Sequence, residues 1–308
     1  MITVQSISRY DKIHSTAITI GTFDGIHVGH RKILERLINN AKVLGLKSTV
    51  LTFFPHPRMV LQQDVSIQLL NTIEEKVQIM KSLGLDYLII HPFTKDFSRL
   101  SATEFVRDIL VNELKVKKII IGYDHRFGRN RNADINDLIA FGNTLDFQVE
   151  EISAQEINEV SVSSTKIRKA LEEGDIRRAN KYLGYRYMLT GTVVKGKGLG
   201  RKLDFPTANL SIVEDYKLIP KNGVYVVSSV INGKTVYGMM NIGVNPTVAG
   251  TKRTIEINFF YFNQDLYGKK LQIDIIDRIR DEIKFDSLEA LKAQLGKDRE
   301  TSLSLIPK

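Results

Sequence analysis

The strongest constraint on the fold of this chain is a change of period near residue 184. Before it, short apolar, β-branched runs alternate with helical patterns. After it, the helical period fades and strand-like runs follow one another. In the first region the expected strands are 17–20, 48–54, 87–91, 118–122 and 147–152. Helical patterns at 31–45, 72–83, 101–114, 133–144, 164–173 and 175–183 fill the gaps. Such alternation predicts a doubly wound parallel sheet. In the second region the expected strands are 187–194, 223–231, 234–242, 254–262 and 270–280, with a closing helix at 286–295. Asn232-Gly233 between two of these runs is a hairpin signal. Several short strands and one helix predict a small antiparallel barrel. The expected fold is therefore α/β plus β, with domains at 1–183 and 184–308.

A length of 308 residues suits two such cores. With no cysteine, disulfides and thiolate metal sites are excluded, and a reducing, cytoplasmic setting is expected. No apolar run approaches the roughly 20 residues of a membrane span, and the N-terminus lacks a signal-peptide pattern. The net charge of +9 invites a nucleic-acid reading. The charge is dispersed, however: residues 1–183 hold 25 Lys+Arg against 22 Asp+Glu, and residues 184–308 hold 19 against 13. The excess is read as accommodating small anionic ligands, with RNA binding a minor alternative. Neither a nucleic-acid partner nor a membrane is expected.

Within the first region, one decamer stands out: Gly21-Thr22-Phe23-Asp24-Gly25-Ile26-His27-Val28-Gly29-His30. It lies between an expected strand and an expected helix, where α/β sheets bind nucleotides. Its glycines allow close backbone approach to a ligand. His27 and His30 are three apart and share a face of a first helical turn, next to the free N–H groups that attract phosphate. Metal ligation by the pair is the weaker reading, since only six histidines and no HExxH pattern are present. Three further segments join it. Phe53-Phe54-Pro55-His56-Pro57 is a proline-stiffened loop. Segment 121–128 places Asp124 and Arg126 at the carboxyl tip of a strand. Ser163, Ser164 and Thr165, with Lys166 and Arg168 one turn on, form a hydroxyl and basic helix start suited to an anion.

The second region offers a different set. Segment 191–201 is a strand followed by a Gly/Lys loop that ends in Gly198 and Arg201, and it lacks the Walker spacing. Pro206-Thr207-Ala208-Asn209 follows. Thr207 and Asn209 are two apart in an extended segment, point to one side, and could give neutral oxygens to Mg2+. Glu256 is the acid in an otherwise neutral segment and is a candidate general base; a solvated outward glutamate is the competing reading. Asn241 sits in a strand-end turn, Asn241-Ile242-Gly243.

Together, the decamer, the 53–57 loop, 121–128 and 161–168 resemble the nucleotidyltransferase superfamily that carries a HIGH-like signature. More narrowly, they resemble the FMN adenylyltransferase module of prokaryotic bifunctional riboflavin kinase/FAD synthetases. The Gly/Lys loop, Pro-Thr-Ala-Asn, the Asn241 turn, the acid at Glu256, Asp265-Leu266-Tyr267-Gly268 and 279–285 closely resemble riboflavin kinase, in the family's order. The resemblance implies two ATP-dependent steps, riboflavin to FMN and FMN to FAD. It implies Glu256 as base, Thr207 and Asn209 on Mg2+, Gly198, Arg201 and Pro206 near ATP, and Arg280 and Phe285 at the flavin. It implies His27 and His30 as stabilisers of phosphate charge, with Ser163, Ser164, Thr165 and Arg168 cradling ATP. Asp124 and Arg126 would lie near nucleotide or flavin phosphate. A kinase with a non-catalytic flavin-binding first module is the alternative. Asp204, His125 and Asn132-Ala133 depart from the family's commonest pattern.

Overall fold

The computed structural model describes residues 1–61, 67–123, 125–153, 156, 162–196, 198–247 and 250–306. Contacts divide the chain into two compact units, 1–163 and 164–308. The first unit is a six-stranded parallel sheet of β1 (Ile2–Val4), β2 (Thr16–Ile20), β3 (Lys47–Phe53), β4 (Tyr87–His91), β5 (Val116–Gly122) and β6 (Gln148–Ile152). Its order is β1-β4-β3-β2-β5-β6. The order reverses between β2 and β5, so the carboxyl ends of these neighbours flank a switch point, where open α/β sheets bind ligands. All five residues of β2 are buried, which marks it as an inner strand covered on both faces.

Helix α1 (Val28–Leu44) follows β2. Ile33, Leu34, Leu37 and Ala41 form its buried stripe, and Gly45 ends it in the left-handed region at φ 66°. Helix α2 (Ile73–Ser82) starts with a capping box made by Thr72 and Glu75. The stretch 102–113 opens as a short α-turn and continues as a π-helix, Phe105–Glu113, whose Phe105, Val106 and Leu110 enter the core beside Ile18, Ile20 and Ile119. Helix α3 (Ile135–Leu145) is capped by Asp134.

The second unit opens with α4 (Ser164–Glu173) and α5 (Ile176–Leu183). The sequence pattern places both at the end of the first region. In the structure α5 is tied to the barrel: Arg177 donates to Asp277, and the Asn180 amide donates to the Ile275 carbonyl at 3.0 Å and accepts from Tyr187 N at 2.7 Å. The barrel is closed, in the order β10-β11-β8-β7-β12-β9. Its strands are β7 (Met188–Val194), β8 (Ala208–Ser211), β9 (Gly223–Ile231), β10 (Lys234–Thr247), β11 (Gly250–Phe259) and β12 (Lys270–Arg280). Asn232 and Gly233 both have positive φ, 51° and 76°, as a tight hairpin turn between β9 and β10 demands. Helix α6 (Leu288–Leu305) closes the unit and runs ten residues beyond the expected end at 295.

Candidate active sites

The decamer forms the turn from β2 into α1. The turn is strained: Phe23, Gly25 and Ile26 have φ of 45°, 86° and 35°. For Phe23 and Ile26 such angles cost on the order of 1–3 kcal/mol each and persist only where the surroundings hold them. Three hydrogen bonds do so. Asp24, 3 % exposed, accepts from Leu70 N at 2.9 Å. The Thr22 carbonyl accepts from Lys76 Nζ at 2.6 Å and from Thr52 Oγ1 at 3.2 Å.

This turn delivers His27 to the N-cap of α1, where its Nδ1 accepts from His30 N at 3.3 Å. The two imidazoles stack with centroids 3.7 Å apart and planes 15° off parallel, and Phe23 lies 5.0 Å from the His30 ring. Burial pushes His27 down to about 4, partly opposed by Asp24. Burial, then the neighbouring His27 and Lys76, holds His30 well below the usual imidazole range. His30 Nδ1 is buried with no hydrogen-bond partner. At neutral pH the pair is therefore uncharged. Gly21, Thr22 and Gly25 line the same turn. Arg126 is exposed just beyond β5, the neighbour of β2 across the switch point. Asp124 lies outside the described residues. Ser163 ends the first unit. Ser164, Thr165 and Arg168 begin α4 in the second, with Thr165 exposed and the other two half-buried.

In the barrel, strand register assembles the second site. Asn241 on β10 pairs with Glu256 on β11, and Glu256 pairs with Asn209 on β8. The three polar side chains thus stand in one row across neighbouring strands. Thr207, just before β8, places Oγ1 3.5 Å from Glu256 Oε2. Glu256 is half-buried rather than a freely solvated strand glutamate. Two neutral oxygen donors beside a carboxylate form a hard, oxygen-only set that fits Mg2+. The Gly/Lys loop lies against this set: a Cβ on Gly196 would run into the Asn209 amide, and one on Gly200 into the Phe205 carbonyl. Gly198, at φ 72°, precedes the short helix Leu199–Lys202 that carries exposed Arg201. The Pro206 carbonyl accepts from Asn258 Nδ2 at 2.8 Å. At the end of β12, Arg280 lies over the Phe285 ring at 5.9 Å.

Several residues of these sites escaped sequence reading. Lys76 is 5 % exposed on α2, where it interrupts the stripe of Thr72, Ile79 and Met80. A charge at an apolar position was the available signal. Asp298 is 1 % exposed and grips Arg280 with two bonds, of 2.9 and 2.6 Å. Glu282 accepts from Val244 N at 3.3 Å and from Asn222 Nδ2 at 3.1 Å, tying the segment after β12 to β10.

Known proteins match both units. A family model described as FAD synthetase matches residues 10–166, and one described as riboflavin kinase matches 183–306. Two relatives named bifunctional riboflavin kinase/FMN adenylyltransferase are close in length. One, from Buchnera aphidicola subsp. Schizaphis graminum, is 38% identical and covers 96% of each chain. The other, from Listeria monocytogenes, is 37% identical and covers 94% of this chain and 92% of its own. A crystal structure from Streptococcus pneumoniae, named macrolide-efflux protein, superposes with a TM-score of 0.88 at 32% identity over 98% of both chains. Among the described residues no helix is long and apolar enough to cross a membrane. Motif, fold and relatives agree across nearly the whole length, and the chain belongs to the bifunctional riboflavin kinase/FMN adenylyltransferase family.

Proposed function

We propose that this chain makes FMN in its barrel and FAD at its parallel sheet, and that the residues singled out above divide the work as follows. The observation that carries the kinase assignment is the row Asn241–Glu256–Asn209 with Thr207 beside it. Glu256 takes the proton from the ribityl hydroxyl of riboflavin as that oxygen attacks the γ-phosphorus of ATP, the bond to the β–γ bridging oxygen breaks and ADP leaves. Thr207 and Asn209 are the residues that would hold Mg2+, which when bound neutralises phosphate charge. The 196–201 loop covers the ATP phosphates with backbone N–H groups and Arg201. Arg280 and Phe285 face the flavin.

At the decamer, FMN adds to the α-phosphate of a second ATP and pyrophosphate leaves. The FMN phosphate is already an anion, so no strong base is needed there. His27, His30 and the N–H groups of Val28 and Gly29 at the start of α1 stabilise the charge that builds on the transferred and leaving phosphates. Ser163, the last residue of the same unit, supplies a hydroxyl donor to the ATP phosphates. Arg126 borders the nucleotide or the flavin phosphate. Small soluble substrates and a cysteine-free chain fit a cytoplasmic site of action.

The test is incubation of the full chain with riboflavin, ATP and Mg2+, separating FMN and FAD over time. Glu256→Gln is expected to lower FMN formation by about 100-fold or more while converting supplied FMN to FAD normally. His30→Ala is expected to lower FAD formation by roughly 100-fold and to leave FMN formation intact. Equal loss of both reactions in either variant would refute separate sites. Failure of the wild type to make FAD from FMN would support a non-catalytic first module.

A further inference from the structure

Lys76 is a buried cation for which the mechanism above has no use. An ammonium removed from water is costly unless something nearby needs it. Helix α2 carries it inward with Ile79 and Met80, at a position where an apolar residue would pack more easily. Its Nζ donates to the Thr22 carbonyl at 2.6 Å. Six residues earlier, Leu70 N donates to Asp24 at 2.9 Å. Segment 70–76 thus clamps the strained turn at two points, two residues apart. The charged and titratable groups that face Lys76 are Asp24 from the turn and His30 from the first turn of α1, with His27 stacked behind. Glu75 on the same helix is occupied in the capping box at Thr72 N.

We propose that Lys76 is a positioning residue for adenylyl transfer: through the Thr22 carbonyl its ammonium holds the 22–26 turn so that His27 and His30 meet the nucleotide phosphates, and it adds a fixed positive charge beneath them. The proposal rests on the assignment of FMN adenylylation to the decamer. Two observations besides the hydrogen bond fit it. The turn contains two non-glycine residues at positive φ, which need external restraint. The Lys76 charge is also felt by His30, whose protonation it disfavours. Burial pushes Lys76 itself down to about 8, so it is mostly charged at neutral pH, and Asp24 favours that charge.

The experiment uses the full chain with Lys76→Met, which keeps volume but loses donor and charge, and Lys76→Arg, which keeps both. Each is assayed for riboflavin to FMN and for FMN to FAD, beside His30→Ala. Lys76→Met is expected to lose roughly 100-fold in kcat for FAD formation, with a smaller change in KM for ATP and normal FMN formation. Lys76→Arg is expected to recover most of that loss. The His30 ring, followed by NMR, is expected to protonate at higher pH in Lys76→Met than in the wild type. Wild-type kcat in Lys76→Met overturns the proposal. So does equal loss of folding and FAD formation in both Lys76 variants, which would make the lysine a packing element only. An unshifted His30 titration overturns its electrostatic half. If His30→Ala itself forms FAD at the normal rate, the assignment of the decamer has failed rather than the role of Lys76.

Discussion

His27 does two things with one ring. Its Nδ1 closes the start of α1, and its face covers His30. The first is possible only while the ring is neutral, and burial favours that form by lowering its folded pKa from 6.5 to about 4. The unfolded chain therefore binds a proton between these values that the folded chain refuses. Stability contributed by neutral His27 is complete above pH 6.5 and is lost as pH falls toward 4, by about 3 kcal/mol at the lower end. His30 shifts in the same direction and adds to the effect. Urea unfolding at pH 7 and pH 4.5 is expected to show this fall. His27→Asn keeps a capping side chain without a titrating ring, and its unfolding is expected to depend less on pH. An unchanged slope would contradict the assigned burial. Asp204 makes a second point at this scale. Its φ is 65°, an angle that glycine adopts freely and aspartate tolerates better than most. The Asp204 carboxylate also accepts from Lys292 Nζ of α6 at 2.6 Å, an ion pair that glycine could not make.

Among the elements, the Gly/Lys loop depends most on what is missing from its side chains. Gly200 has no room for a methyl group because the Phe205 carbonyl and Thr207 occupy that space. Gly200→Ala is expected to displace Thr207 from Glu256 and to lower FMN formation by about 10- to 100-fold. FAD formation from supplied FMN should remain. A normal kinase rate would mean that the loop relaxes away from Thr207 without consequence. The inner strands were readable in advance because strands buried on both faces are continuous apolar runs; β4, for one, was read to the residue. The edge strand β1 has three residues and gives no run to read. Strand β8 was missed because Asn209 and Ser211 interrupt its four residues, although it carries a site side chain. The end of α6 was missed because Gly296 and the buried polar residues Asp298 and Ser302 break its apolar stripe. Their partners, Arg280 and the Asp298 carbonyl, appear only on folding. His27 and His30 stand out in the sequence by their spacing among glycines, and Glu256 as the acid in an otherwise neutral segment. Lys76 and Asp298 do not, since a buried charge carries meaning only through a partner distant in sequence.

At the scale of the whole molecule, packing and sequence pattern draw the boundary differently. Residues 164–183 look like the last helices of an alternating domain, and the contacts group them with the barrel. The two family matches leave 167–182 between them. Ile176, Ala179 and Leu183 are buried, and α5 is bonded to β12 through Arg177 and Asn180. Burying side chains such as Ile176 and Leu183 is worth about 2 kcal/mol each. A fragment of residues 164–308 is therefore expected to melt roughly 10 °C or more above one of 184–308, as read by circular dichroism. Equal melting temperatures would return those helices to the first domain. The closed barrel has one more consequence. A sheet with an outer strand offers unpaired main-chain groups on which another chain can template itself, and that is how many β proteins aggregate. A ring of six strands has no outer strand. The parallel sheet does have two, but β1 is three residues long and β6 carries Gln148, Glu150 and Glu151, with Glu150 gripped by Arg36 and Lys118. A second copy would find only three residues of ladder at β1 and charge at β6, so crowding gives this much β structure little chance to seed a fibre.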